Sequence, residues 1–510
     1  MRWRLILRNV FSNWAGYLVT AIIGFRLSPF IVHSLGVTGY GVWTLVLSLT
    51  GYFGLLDLGI RSSVGRFVAR YVALDDDDKT NSVVSTAFSI LTAGSILALL
   101  ATFIGMEFGF QHFRVEPQFL PAAKLAFLIA GLTMASVLPL GIFSSVLVAL
   151  ERFDILSGVT IIGETIKAAL IVIFLKMGYG LVSIALIAFF ISVTEYLVMA
   201  VFAKKLYPPL RISLRLVNRE TLSGLFGFGI YRFLWIVANQ LIFYSDSVVI
   251  GIFLSTGQIT YFAIAGTLIN YGRNVVSLLT DTFYPAATRM DAKQDLKGLR
   301  ELLIVGTRIS LLIALPLCLG LVFLGKQFIS LWMGPEYSIS WIYLAVLTIP
   351  QFTGMPQNVS ALILAGMAKH KFLAYLILAE GLVNLILSII LIRRMGLIGV
   401  AWGTAIPDVI CTALIIPWYT LKVLEMGARE YFSRAFVRPL ISALPLVGLG
   451  YAFRLLVETP SWLVFAGEVA AFCGVVGVMG YFLCLDSGHR DMAVERVKRV
   501  FQREPVVHEA

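Results

Sequence analysis

Residues 81–106 read NSVVSTAFSILTAGSILALLATFIGM, without one charged side chain. A hydrocarbon core about 30 Å thick is crossed by about 20 residues of helix. Backbone exposed to that core has to satisfy its own hydrogen bonds, which a helix does within one segment. The run is therefore read as a membrane-spanning helix. Leu125–Leu150 and Tyr337–Ala368 are equally free of charge and are read in the same way. The whole chain agrees: of 510 residues, 59% are hydrophobic and 14% charged, against about a quarter charged in soluble domains. The same window places helices near 10–33, 40–60, 81–104, 122–149, 155–175, 181–203, 224–254, 259–285, 303–325, 341–366, 372–392, 397–420, 438–456 and 462–485, fourteen in all. The expected fold class is an all-α polytopic membrane protein.

A net charge of +11 in a soluble protein would point to nucleic acid. Here the charge is sorted by side. With the N-terminus in the cytoplasm, the inner segments carry 28 Lys and Arg, and the outer loops carry five: Arg114, Lys176, Lys326, Arg393 and Arg394. Basic residues resist translocation, so the bias orients the chain with both termini cytoplasmic. The charge is topology, and no nucleic-acid partner is expected. Met1–Arg8 and the apolar stretch after it lack the short core and small-residue cleavage site of a secretory signal, and are read as a retained first helix. Cys318, Cys411, Cys473 and Cys484 all fall in expected helices, with no disulfide framework or zinc spacing. Asp75–Asp78 is read as a solvated acidic turn.

An internal repeat is readable. Ile161-Ile162-Gly163-Glu164-Thr165-Ile166 aligns with Ile377-Leu378-Ala379-Glu380-Gly381-Leu382. The turns Lys176-Met177-Gly178 and Arg394-Met395-Gly396 follow at nearly the same offset, and Glu151-Arg152-Phe153 and Ala368-Lys369-His370 precede. About six helices per copy, an even number, gives a parallel repeat about an axis along the membrane normal. The expected organisation is a six-helix bundle over 1–207, a cytoplasmic linker over 208–223 containing Pro209, a second bundle over 224–425, two additional helices over 436–485 and a cytoplasmic tail over 486–510.

Charges deep in a span cost about 2.5 to 3.5 kcal/mol each on insertion scales and normally face a cavity or a partner. In the seventh helix Arg232, Asn239 and Asp246 are seven apart and share one face. In the eighth, Asn270, Arg273, Asn274, Ser277 and Asp281 do the same. Arg26 lies deep in the first helix, with Pro29 three positions on. Arg26, Arg232 and Arg273 are candidate phosphate ligands, since a guanidinium meets phosphate bidentately, with Asn239, Asn270 and Asn274 beside them. The competing account pairs each arginine with an acid for assembly alone, for instance Arg232 or Arg273 with Asp246 or Asp281. Glu380, Asp408 after Pro407, and Asp246 are candidates for ion coupling. Asp57 with Arg61 and Glu164 with Lys167 are spaced as helix-surface ion pairs.

No Gly-Lys-Ser/Thr phosphate loop is present, so no nucleotide site on this chain would power transport. The five His make no metal-ligand spacing, and no metal or cofactor is expected. The longest outer loop, 105–120, is short for a membrane polymerase or ligase, and an enzyme is not expected.

Leu35-Gly36-Val37-Thr38-Gly39-Tyr40-Gly41-Val42-Trp43, then Tyr52-Phe53-Gly54-Leu55-Leu56-Asp57-Leu58-Gly59 and Arg66-Phe67-Val68-Ala69, resemble the opening of bacterial polysaccharide-biosynthesis flippases. These are the lipid-linked oligosaccharide translocases of the multidrug, oligosaccharidyl-lipid and polysaccharide exporter superfamily. Asp246-Ser247-Val248-Val249-Ile250-Gly251 and Tyr261-Phe262-Ala263-Ile264-Ala265 resemble that family's passage from helix seven to helix eight. The resemblance implies ion-coupled alternating access in the inner membrane. The implied cargo is an undecaprenyl-diphosphate-linked oligosaccharide for O-antigen, capsule or exopolysaccharide, with a polymerase and a chain-length regulator as partners. It also implies that cavity arginines meet the diphosphate, and that the two additional helices guide a lipid tail, as in lipid II flippases. A cation-coupled exporter of small amphiphiles or drugs is the alternative. There the deep acids would matter and the arginines would not.

Overall fold

The computed structural model describes residues 3–456 and 461–484, with side chains described for residues 16–226, 233–369, 371–456 and 461–482. The described backbone is helical nearly throughout. In chain order the α-helices are α1 (Trp3–Gly51), α2 (Ile60–Val72), α3 (Asp77–Ile104), α4 (Leu120–Ala149), α5 (Phe153–Lys176), α6 (Leu181–Leu206), α7 (Arg219–Phe253), α8 (Thr256–Thr280), α9 (Tyr284–Ala292) and α10 (Leu296–Phe323). They continue as α11 (Gly325–Trp332), α12 (Ser340–Thr348), α13 (Gln351–Gly366), α14 (His370–Met395), α15 (Leu397–Val409), α16 (Ile416–Val423), α17 (Ala428–Ala435), α18 (Val437–Leu456) and α19 (Trp462–Met479).

Among the described residues, 11 helices are long and apolar enough to cross a membrane. Three stretches expected to hold spans of their own do not appear separately in that set. The expected helices at 10–33 and 40–60 are joined in α1, whose direction changes at Gly36 (φ 73, ψ 172). That backbone region is essentially closed to residues with a Cβ. The stretch at 341–366 is two helices, α12 and α13, parted where Pro350 interrupts the ladder. The stretch at 259–285 contains α8, followed by a 3-10 turn at Asp281–Phe283, and its polar face takes it out of the strongly apolar class.

α3, which carries most of the charge-free run 81–106, shows how such a helix packs. In α3 the small and polar Gly94, Ser95, Ala98 and Thr102 are buried, whereas Ile96, Leu97, Leu100, Phe103 and Ile104 are exposed. A lipid-facing helix has no hydrophobic reason to bury its large side chains, and small residues let neighbouring backbones approach. Asp76 caps α3, accepting from the Lys79 N–H at 3.0 Å, and Asp77 and Asp78 occupy its first turn. That donated bond and the Lys79 ammonium hold the Asp76 carboxyl below its usual range, and the acidic run suits the positive end of the helix.

Contacts divide the chain into two compact units, Met1–Ile264 with His370–Pro407, and Ala265–Lys369 with Asp408–Ala510. The division falls within α8 and within α15. In the first unit α4 packs on α3 and α6, α1 on α5, and α7 along α14. The segment after α6 is strapped to the polar first turns of α3. Asn81 donates to Pro209 O (3.0 Å) and accepts from Arg211 N (2.7 Å), and Ser82 donates to Leu216 O (3.0 Å). In the second unit α10 is central, packing on α13 and α18. Leu311, Leu315, Ala443, Leu446 and Phe472 form the apolar joint that seats α18 and α19. Arg308 of α10, 7% exposed, donates to Arg434 O at 2.9 Å and satisfies the carbonyl end of α17.

Gly36 provides a clean test, because no described residue lies within 4 Å of where a Cβ would stand. Gly36→Ala should lose about 1–3 kcal/mol from backbone strain alone, read as a lowered Tm in detergent. Gly158→Ala in α5, equally open, should be neutral or stabilising.

Candidate functional site

The first unit buries one carboxylate among neutral oxygens. Asp246 on α7 is 4% exposed. Its Oδ2 accepts from the Thr404 hydroxyl of α15 at 2.9 Å, and its Oδ1 accepts from the Ser388 hydroxyl of α14 at 3.4 Å. The Thr404 hydroxyl is shared with Val400 O at 3.2 Å. One turn before Ser388, on the same face of α14, Asn384 is 1% exposed and its side-chain carbonyl Oδ1 has no hydrogen-bond partner among the described residues. An orphaned buried acceptor normally costs about 1–3 kcal/mol.

Backbone proximity creates this arrangement. A Cβ on Gly403 would stand 2.6 Å from Ser388 N and 2.7 Å from its Cα, so only glycine lets α15 press Thr404 against α14 here. The result is one formal negative charge and several hard oxygens from three helices. That donor set suits a monovalent hard cation, since a calcium or magnesium site usually recruits more carboxylate and water. Among the described residues no three His, Cys, Asp or Glu come together, so the arrangement offers nothing to a soft transition metal.

A second polar node lies in the second unit. Arg273 of α8 donates from Nη2 to Asp408 Oδ2 at 3.0 Å and from Nε to Gln351 Oε1 at 2.8 Å. Gln351 also donates to Asp408 Oδ2 at 3.4 Å. Asp408 is 7% exposed, and Thr353 and Thr412 bond beside it at 2.8 Å. Arg273 is thus paired with an acid, but with Asp408 and not with the Asp246 or Asp281 considered from spacing. On either side of Arg273 along α8, Asn270 and Asn274 are exposed.

The other expected residues stand apart from both nodes. Arg26 of α1 is exposed, without an ion pair among the described residues. Asn239 donates to Trp235 O at 2.7 Å on its own helix. Arg232 belongs to α7, but its side chain lies outside the described residues. Glu380 is half-buried on α14, one turn before Asn384. Asp57 pairs with Arg61 at 3.0 Å, and Glu164 with Lys167, as their spacing suggests.

The sequence marks Asp246 but not the Ser388 and Thr404 that donate to it, nor the buried Asn384. Hydroxyls are common in spanning helices, where they bond back to their own turn. The available signal was the i, i+4 pair Asn384 and Ser388 continuing the face that begins at Glu380. Glu195 of α6 was also missed, its Oε1 buried against Gly163 of α5.

Comparison with known proteins places these observations. The family described as "Polysaccharide biosynthesis protein" matches residues 6–291. The chain is 23% identical to the "Uncharacterized membrane protein EpsK" of Bacillus subtilis, over 96% of this chain and 98% of that one. It is also 23% identical to the "Putative O-antigen transporter" of Shigella flexneri, over 81% and 97% respectively. Its fold matches the solved inward closed structure of the lipid II flippase MurJ with a TM-score of 0.73 at 17% identity, covering 94% of this chain and 99% of that one. With the match running through α1 to α9 and the helical membrane fold agreeing, this chain belongs to the polysaccharide biosynthesis protein family.

Proposed function

We propose that the protein flips an undecaprenyl-diphosphate-linked oligosaccharide from the cytoplasmic to the outer leaflet of the inner membrane. Family membership and the similarity to a putative O-antigen transporter and a lipid II flippase support this reading. The observation that carries it is the open polar face of α8, with Asn270 and Asn274 exposed beside Arg273. Two amides and a guanidinium do not face lipid, so this face lines water and meets a polar cargo. Arg26, exposed in a spanning helix, is subject to the same argument. A diphosphate would compete with Asp408 for the Arg273 fork, coupling cargo binding to release of that ion pair. Asn239 of α7 is proposed as a further cargo ligand, and Arg232 is kept as a proposed ligand from the sequence alone.

Asp246, Asn384, Ser388, Thr404 and the Val400 carbonyl are proposed to hold the coupling cation. The cation would supply the positive charge that Asp246 lacks and the partner that Asn384 Oδ1 lacks. Glu380 and Asp408 remain candidates for coupling, the latter through Arg273. The proposed topology keeps fourteen helices, counting α1 as two spans at Gly36, α8 as one and α12 with α13 as one. It keeps the arrangement of six plus six plus two in a parallel repeat, the boundaries 1–207, 224–425 and 436–485, and both termini cytoplasmic. The protein acts as a transporter and not as an enzyme.

Cation binding has a readout independent of transport. Sodium at about a hundred times its Kd should stabilise the purified protein by about 2.7 kcal/mol, seen as a Tm rise absent with choline. Asp246→Asn should abolish that rise. A wild type indifferent to sodium would remove the cation assignment.

For cargo, Arg26→Ala, Arg273→Ala and the pair Asn270→Ala with Asn274→Ala should each cut surface polysaccharide at least about tenfold, a loss of about 1.4 kcal/mol per decade. Membrane levels of the protein should hold. Full polymer from all of these variants, with export of small amphiphiles intact and dependent on Asp246, would favour the drug-exporter alternative.

A further inference from the structure

The exit from α15 is irregular. Pro407 lies inside the helix, Ile410–Ile415 form a π-helical stretch, and α16 begins with Pro417 in its first turn. A π stretch widens the helix and often marks a functional position. After α16, Glu425 takes a left-handed conformation (φ 49) and the chain turns back into α17. Between these elements lies a groove of about 560 Å³, whose walls include Leu414, Pro417, Trp418 and Phe432, with Lys422 and Glu425. Leu414 is 63% exposed and Trp418 59%. The basic-loop bias assigns 421–438 to the cytoplasmic side, which puts the groove at the inner membrane interface.

Its charges are unequally matched. Arg300 faces Glu425 at 3.9 Å and also donates to Leu424 O at 2.7 Å, so the acid is compensated. The Lys422 ammonium lies over the Trp418 ring, 5.5 Å from its centroid, and has no carboxylate in ion-pair range among the described residues. The neighbouring Arg429 is exposed at the start of α17. The groove therefore joins an apolar wall to a positive charge that no acid among the described residues neutralises, beside a tryptophan, a residue type enriched where headgroups meet acyl chains.

We propose that this groove binds an anionic phospholipid of the cytoplasmic leaflet, with an acyl chain along Leu414 and Pro417 and its phosphate on Lys422. A lysine whose stem lies along an apolar wall holds its ammonium at headgroup depth, and anionic lipid at that depth supplies the missing charge. None of the residues lining the groove is among those proposed for cargo or for the cation. It sits at the joint that leads into the two additional helices.

The test is native mass spectrometry of the full chain with equimolar phosphatidylglycerol and phosphatidylcholine of matched acyl chains. Wild type should retain phosphatidylglycerol about fivefold over phosphatidylcholine, the factor one basic residue is worth at an anionic surface. Lys422→Gln should bring the ratio close to one and Lys422→Arg should keep it. Equal retention by wild type, or an unchanged ratio in Lys422→Gln, overturns the proposal. Should Lys422→Gln fail to fold, fluorescence quenching by acyl-brominated lipids decides. Quenching should be stronger with brominated phosphatidylglycerol than with brominated phosphatidylcholine, and Trp418→Phe should remove the difference. No difference between the lipids in wild type overturns the site.

Discussion

Hydrocarbon gives a peptide group nothing to bond to, so each carbonyl and N–H has to find its partner within the protein. That requirement makes the described backbone helical nearly throughout, and it also decides where helices can stop. Three of the departures occur at positions with an identifiable cause. Gly36 adopts a backbone angle that a Cβ would forbid, Pro350 lacks the donor that would join α12 to α13, and Ile410–Ile415 redistribute their bonds as a π stretch after Pro407. Arg308 and Arg300 meet the carbonyl ends of α17 and α16 at Arg434 and Leu424. The carbonyls freed by irregular chain are thus met by side chains.

The same scarcity of partners governs the polar interior. A carboxylate buried as deeply as Asp246 persists because Thr404 and Ser388 donate to it. Asp408 persists because Arg273 and Gln351 do. The two solutions differ in chemistry. Asp408 is matched by a full positive charge, whereas the described bonds to Asp246 come from the hydroxyl dipoles of Thr404 and Ser388. Among the described residues Asp246 thus lacks the full positive charge that Arg273 gives Asp408. Close packing enables this, since Gly403 is what brings Thr404 against α14.

Charge sorting and residue size act on the outside. The expected loop charges favour cytoplasmic termini, and in the second half of α3 Ile96, Leu97, Leu100, Phe103 and Ile104 are exposed while Gly94, Ser95, Ala98 and Thr102 are buried. The segment after α6 reads as a linker because of its prolines and bases. It is nonetheless held firmly, because the first turns of α3 carry Asn81 and Ser82 on the face it crosses. Nothing in the linker's own residues announces that contact.

By itself the sequence determined the membrane class, most span positions, the loop asymmetry and the family resemblance, because span length, hydropathy and loop charge are local quantities. It also marked the local pairs Asp57 with Arg61 and Glu164 with Lys167, whose partners lie within one turn. Tertiary structure decided the rest. It matched Arg273 to Asp408 across 135 positions, and it gathered Asp246, Ser388 and Thr404 from three helices. It also joined two expected helices through Gly36. Such pairings depend on which faces of distant helices meet, and that is set by packing between small residues such as Gly403. Helical periodicity reports the face on which a residue lies; only the fold reports what stands opposite.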